Sequence, residues 1–262
     1  MKHYALIGRQ LGHSWSQRLF EEAVPATVAD YRLCEMSSLD GLRQWVADES
    51  IDGFNVTFPY KEAVIAHLDA LSPEAKAIGA VNCVKVVGDH LIGFNTDAPA
   101  FRQSLEETIS TFNFQLSTFN LALILGTGGA ARAVAYAIGQ MGIKYTFVSR
   151  TPELHPNSIA YNQIIQAIKQ SSNQAILLIN ATPVGTWPNV NATPFLLPSA
   201  NYQLPTLTVY DLIYNPSPTL LMREAAERGA KVVDGLAMLR LQAKLSRDIF
   251  FTDSTEYQPI AK

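Results

Sequence analysis

Two short polar segments carry residue types suited to moving a proton at a carbonyl group: NVTFPYK, ending in Lys61, and GFNTD, ending in Asp97. Hydride addition to a ketone leaves negative charge on oxygen, which a lysine ammonium can stabilise and then protonate. An aspartate at a neighbouring strand end can pair with such a lysine and orient it together with a substrate hydroxyl. Both residues also have purely structural readings. Lys61 can be a solvated surface lysine, although it is expected in a first helical turn, where the helix dipole disfavours a cation by about 0.3–1 kcal/mol. Asp97 can simply cap the helix expected from Ala98 toward Thr108. The residue types alone leave these alternatives open.

Two further segments offer groups for anions. In HSWS at 13–16, the Ser14 and Ser16 hydroxyls precede a helix. They can hold a carboxylate together with free backbone N–H groups, or serve only as N-caps. His13 is a lone histidine, and no second His or Cys stands at metal-ligand spacing, so no metal is expected. LALILGTGGAAR at 121–132 reads as a buried parallel strand turning sharply into a helix. Gly126, Gly128 and Ala131 occupy the three small positions of a G-x-G-x-x-[G/A] fingerprint, with Gly129 beside them, and such a turn sets a helix N-terminus against a dinucleotide pyrophosphate. Such turns also occur for packing alone. Here the helix ends at Gly142 and KYTFVSR follows as a second strand, completing a βαβ unit. An acidic residue for a ribose hydroxyl would be expected about 20 residues after the glycines. Ser149, Arg150 and Thr151 stand there instead, a set suited to a 2′-phosphate, so NADP is favoured over NAD. The alternative is a surface arginine at a strand end.

The elements that must position these groups alternate. YALIG, DYRLCEM and GFNVT read as strands, with helices through Leu19 and Phe20, over 39–46, and from Pro59 through Val64, Ile65 and Leu68. AVNCVKVVGDHLIGFNTD reads as two strands joined at Gly88-Asp89. The stretch 109–120 is polar and aperiodic, as a connector would be. Beyond the βαβ unit come a helix near 159–168, strands in QAILLIN, LTVYDLIY and KVVD, an irregular segment over 193–205, and a last amphipathic helix over 236–250. A chain of 262 residues favours two domains over one. With 48% hydrophobic and 16% charged residues and a net charge of −3, it has the balance of a globular protein without an electrostatic footprint for nucleic acid. No apolar run approaches the roughly 20 residues of a membrane helix, and the N-terminus lacks a signal-peptide pattern, so a cytoplasmic protein is expected. Cys34 and Cys83 are then reduced structural thiols, and the N-x-T triplets at Asn55, Asn180 and Asn191 are not glycosylated.

Taken together and in order, HSWS, NVTFPYK, GAVN (79–82), GFNTD, GTGGAAR, NATPVG (180–185), YDLIYNPSPT (210–219) and DGLAMLRLQA (234–243) resemble signatures of the shikimate dehydrogenase family over nearly the whole chain. The resemblance implies reversible NADPH-dependent reduction of 3-dehydroshikimate to shikimate, on the route to chorismate and the aromatic amino acids. It implies two α/β domains with a cleft between them: an N-terminal substrate-binding and catalytic domain over 1–99, completed by the C-terminal helix over 236–262, and a Rossmann-type NADP-binding domain over 100–235. Lys61 and Asp97 would be the catalytic pair. Ser14 and Ser16 would hold the substrate carboxylate; Thr57, Asn82, Asp97 and Gln242 would hold its hydroxyls and reacting oxygen, with Asn55 and Tyr214 close by. The cofactor would lie against Gly126, Gly128, Gly129, Ala130, Ser149, Arg150, Thr151, Thr182, Leu212 and Gly235. The implied partners are small molecules, with no nucleic acid or membrane, in a monomer or homodimer.

The chain departs from the family pattern at Ser149 (commonly Asn), Ala98 (Gly), Pro183 (Ser) and Gln17 (Pro). None of these removes a catalytic group. Ser149 bears on a hydrogen bond to the adenosine phosphate and Pro183 on the loop near the nicotinamide. Two other readings compete: a quinate/shikimate dehydrogenase with relaxed substrate or cofactor choice, and a catalytically silent NADP-binding regulatory homologue. An acidic residue in place of 149–151 would favour the first, and retention of both Lys61 and Asp97 argues against the second.

Overall fold

Strand and helix alternate along the chain in the computed structural model, which describes residues 1–111, 119–170, 175–197, 204, 206–252 and 260–261. Two units form, Met1–Pro99 with Arg240–Lys262, and Ala100–Leu239. In the first, β1 (Lys2–Gly8), α1 (Ser16–Glu21), β2 (Ala29–Glu35), α2 (Leu42–Asp48) and β3 (Gly53–Val56) build a parallel core. β4 (Ala70–Leu71), α3 (Pro73–Ile78), β5 (Cys83–Val87) and β6 (His90–Phe94) follow, and α4 (Asp97–Thr111) leads into the second unit.

The second unit contains β7 (Phe119–Leu125), α5 (Gly129–Gln140), β8 (Tyr145–Ser149), β9 (Ser158–Ala160), α6 (Ile164–Gln170), β10 (Ala175–Asn180), β11 (Leu207–Asp211), α7 (Leu220–Ala226) and β12 (Lys231–Val233). The long α8 (Leu236–Phe251) and β13 (Ile260–Ala261) complete the chain.

The first sheet has the order β13-β4-β6-β5-β3-β1-β2. It is parallel where β1 meets β2 and β3, and antiparallel where β5 meets β3 and β6, because the tight turn at Gly88 makes β5 and β6 a hairpin. α8 is fastened to this sheet at its C-terminal end. Lys85 of β5, buried despite its charge, donates to the Ile249 carbonyl at 2.9 Å and to that of Thr252, carbonyls at the end of the helix. Phe250 stacks on Tyr4 with ring centroids 4.5 Å apart.

The second sheet has the order β12-β11-β10-β7-β8-β9 and every recorded pairing in it is parallel. Its centre is β7, where Ala122, Leu123, Ile124 and Leu125 are fully buried, as a strand covered on both faces requires. The chain order reverses between β7 and β10, so their carboxyl ends form the switch point where open α/β sheets bind ligands.

Several local expectations are corrected. Pro59 opens no α-helix: it lies in a turn, and Val64 and Ile65 lie in a short 3₁₀ helix, Ala63–His67. Lys61 therefore precedes any helix, and the dipole penalty expected for it does not arise. Ile159 lies in β9, paired parallel with β8, and the helix expected around it starts only at Ile164, because hydrogen bonds from the sheet edge outweigh helical spacing over so short a segment. The connector expected over 109–120 is shorter at both ends, since α4 runs to Thr111 and β7 begins at Phe119; 112–118 lie outside the described residues. The segment 193–197 is irregular, and 198–203 and 205 of the same expected loop lie outside the described residues. Among the described residues no helix is long and apolar enough to cross a membrane.

Candidate functional site

The first unit gathers its polar side chains at one end of β3, β5 and β6. Lys61 stands in the turn after β3, tied to the segment before β5 by a 2.7 Å bond from the Val81 N–H to its carbonyl. Its ammonium donates to Asp97 Oδ2 at 2.6 Å, with the two side chains 18% and 7% exposed. A pair so far out of water needs its remaining lone pairs satisfied, and Asn82 supplies that by donating to Asp97 Oδ1 at 3.0 Å. Asn82 is itself fixed, donating to Thr96 Oγ1 at 2.8 Å and accepting from the Thr96 N–H at 2.7 Å.

Asp97 is not the helix cap expected for it. Asn95 Oδ1 accepts from the N–H groups of both Asp97 and Ala98, each at 3.1 Å, and so caps α4. That leaves the Asp97 carboxylate for Lys61 and Asn82. Among the described residues Lys61 has no acceptor besides Asp97, so the ammonium keeps hydrogens for an incoming oxygen.

Asn55 works as a strut. Its amide nitrogen donates to the Asn82 carbonyl at 3.0 Å and to Ser246 Oγ at 2.8 Å, while its oxygen accepts from the Tyr31 hydroxyl at 2.9 Å. Both of its donors are thus committed, and Tyr31, its phenol held protonated by burial, stays a donor. Ser246 reaches Thr96 Oγ1 at 3.2 Å, linking α8 to the Asn82–Asp97 cluster. Ser14 Oγ donates to Ser16 Oγ at 3.2 Å and accepts from the Ser16 N–H at 3.3 Å, which brings the two hydroxyls side by side where α1 begins. Ser16, Asn55 and Gln242 line one pocket with Ser246 and Arg247. Thr57 is half-buried against Gly8, where a Cβ would lie 2.5 Å from its methyl group. Tyr214 belongs to the second unit, just past β11.

The second unit carries the glycine turn at the carboxyl end of β7. Gly126 has φ of 100°, a conformation that L side chains rarely adopt, and a Cβ there would meet Thr182 Cγ2 at 3.1 Å. Gly128 precedes α5, whose first N–H groups point back at the turn. At the end of β8, Ser149 Oγ accepts from the Thr151 N–H at 3.1 Å, while Arg150 extends exposed. Thr182 donates to Asn180 Oδ1 at 2.7 Å, so its hydroxyl shapes the loop after β10. Leu212 and Gly235 are in direct apposition, and a Cβ on Gly235 would collide with the Leu212 carbonyl.

Beneath them, buried Asp211 accepts from Asn180 at 2.9 Å, Thr219 at 2.7 Å and the Ile213 N–H at 3.1 Å. Burial nevertheless pushes its carboxyl up to about 6. An absent side chain at a strained turn, a helix N-terminus and an exposed arginine one strand away form a cradle that fits a phosphorylated dinucleotide.

Reading the sequence missed Ser246 and Tyr31, which help to hold the first cluster in place, and gave Thr96, inside GFNTD, no role of its own. Ser246 had a usable signal: it lies one helical turn after Gln242, a polar residue on the inward face of α8. Tyr31 had none, because its partner Asn55 lies 24 positions away in the chain.

A family profile described as the shikimate dehydrogenase substrate binding domain matches residues 6–84. A shikimate dehydrogenase (NADP(+)) of Caldicellulosiruptor saccharolyticus is 34% identical over 265 residues, covering 96% of this chain and 92% of the relative. Among solved structures, shikimate dehydrogenase 1 from Peptoclostridium difficile superposes with a TM-score of 0.81 at 32% identity, covering 98% of this chain and 95% of that one. The shikimate 5-dehydrogenase of Thermus thermophilus, solved in complex with NADP(H) and shikimate, gives 0.78 at 32% identity, covering 99% and 95%.

Proposed function

The chain belongs to the shikimate dehydrogenase family, and from that premise we propose that it catalyses the reversible NADPH-dependent reduction of 3-dehydroshikimate to shikimate, in the biosynthesis of chorismate and the aromatic amino acids. The observation that carries the reading is the buried pairing of Lys61 with Asp97 at 2.6 Å, with Asn82 behind it. NADPH, when bound, supplies the hydride that reduces the ketone carbon. Lys61 stabilises the charge that develops on the ketone oxygen and gives it a proton. Asp97 keeps the ammonium aimed, and Asn82 keeps Asp97 from rotating.

In the same reading 1–99 with 236–262 forms the substrate domain and 100–235 the cofactor domain. Ser14 and Ser16 take the carboxylate, and Thr57, Asn82 and Gln242 take the hydroxyls, with Asn55 and Tyr214 bordering the ring. Gly126, whose own N–H is donated to the Val148 carbonyl at 2.9 Å, lets the turn come close to the diphosphate, the backbone N–H groups of Gly128, Gly129 and Ala130 hold it, and Ser149, Arg150 and Thr151 take the 2′-phosphate. Thr182, Leu212 and Gly235 complete the cofactor site. The reading places the protein in the cytoplasm as a monomer or homodimer.

The test is a steady-state assay of the purified protein with shikimate and with quinate, each with NADP+ and NAD+. Turnover of shikimate with NADP+ is expected, and its absence would overturn the proposal.

A further inference from the structure

The pocket between α1 and α8 holds a charge that the proposed chemistry does not yet use. It is lined by the Ser16 hydroxyl, the amides of Asn55 and Gln242, and Ser246, whose hydroxyl is already spent on Asn55 and Thr96. Among the described residues, Arg247 is the one charged residue lining it. It is half-buried, and among the described residues it has no hydrogen bond or ion pair. The nearby charges neutralise one another instead: Lys244 pairs with Asp248 at 2.8 Å on the exposed face of α8, and Arg18 with Glu22 at 2.7 Å on α1. A guanidinium withdrawn from water without a counter-ion is unfavourable unless an anion joins it, and its planar fork matches a carboxylate.

We infer that Arg247 is a specificity-determining residue, a cation beside Ser16 that reads the carboxylate of the substrate. This rests on the proposed function, in which Ser14 and Ser16 receive that carboxylate. Hydroxyls alone would accept an ester or amide nearly as well as an acid, whereas a guanidinium rewards the negative charge itself.

The test compares shikimate with its methyl ester, by turnover with NADP+ and by calorimetric binding, in the wild type, Arg247→Met and Arg247→Lys. Arg247→Met is expected to weaken shikimate by about 10- to 100-fold, the range for losing a charge-assisted hydrogen bond, and to raise KM far more than it lowers kcat. The ester should be little affected, and Arg247→Lys should recover part of the loss. Equal weakening of acid and ester, or no weakening of the acid, would overturn the inference. Titration of NADP+ into each variant reports whether it has folded; if Arg247→Met has not, the acid-to-ester ratio of Arg247→Lys against wild type decides, and an unchanged ratio counts against the inference. Failure of the wild type to turn over shikimate would refute the proposed function instead, leaving the acid-to-ester binding ratio to judge Arg247.

Discussion

Around Lys61 the working groups are side chains, each held by another side chain, whereas around Gly126 they are backbone groups exposed by the absence of side chains. In the first region Asn55, Asn82, Thr96, Asp97 and Ser246 are buried and linked from β3 to α8. In the second, the shape comes from a φ of 100° at Gly126 and a helix start at Gly129, with an exposed Arg150 at the rim. The difference follows from the tasks proposed for the two regions. Protonating one oxygen needs a group fixed to within fractions of an ångström, and only a network locks a long lysine side chain that well. Holding a diphosphate needs several N–H donors in a cradle, which any small-residue turn before a helix can supply.

The contrast is broken or sharpened by substitution. The largest effect is expected at Lys61. Lys61→Ala should lower kcat by about 10²- to 10⁴-fold, the usual contribution of a positioned proton donor, with little change in KM. A rise in KM alone would make Lys61 a binding residue and dissolve the difference between the regions. At the rim of the cradle, Arg150→Ala should weaken NADPH by about 10- to 100-fold while leaving NADH nearly unchanged. Equal losses for the two cofactors, read from KM values, would show that the 2′-phosphate is held elsewhere.

The smallest effect concerns stability rather than rate. Asp211 in the folded chain titrates near 6, above its ordinary value of 3.8, chiefly because it is buried. The folded state thus binds that proton more tightly than the unfolded state. Stability gained through Asp211 grows as pH falls through about 6 and is complete near the unfolded value. Thermal melts between about pH 7.5 and about pH 5 should show wild type gaining on Asp211→Asn as pH falls, by on the order of 1 kcal/mol. Parallel melting curves would mean that Asp211 is less isolated from solvent than its burial indicates.

What was legible in the sequence divides along the same line. The glycine turn, the strand before it and the strand ending at Ser149 were readable because their parts are adjacent and local backbone rules govern them. The two-strand hairpin turning at Gly88 was readable for the same reason. The helix expected from Pro59 failed because tertiary contacts set that segment: Tyr60 is pinned by its hydroxyl to the Met36 carbonyl at 2.7 Å, and the turn at Lys61 is tied to Val81. Asp97 was a good helix cap by position, yet Asn95, two residues earlier, took that role.

By itself the sequence determined the alternating α/β order, the glycine turn from strand to helix and the residue types able to do carbonyl chemistry, since all of these depend on short-range periodicity and composition. Tertiary structure alone decided that Lys61 meets Asp97, that Asn82 holds Asp97 in place, and that Ser246 of the last helix closes onto Asn55, 191 positions away in the chain. Those pairings depend on burial, where a polar group must find a partner or lose its solvation for nothing, and a partner that far along the chain leaves no mark on the local pattern.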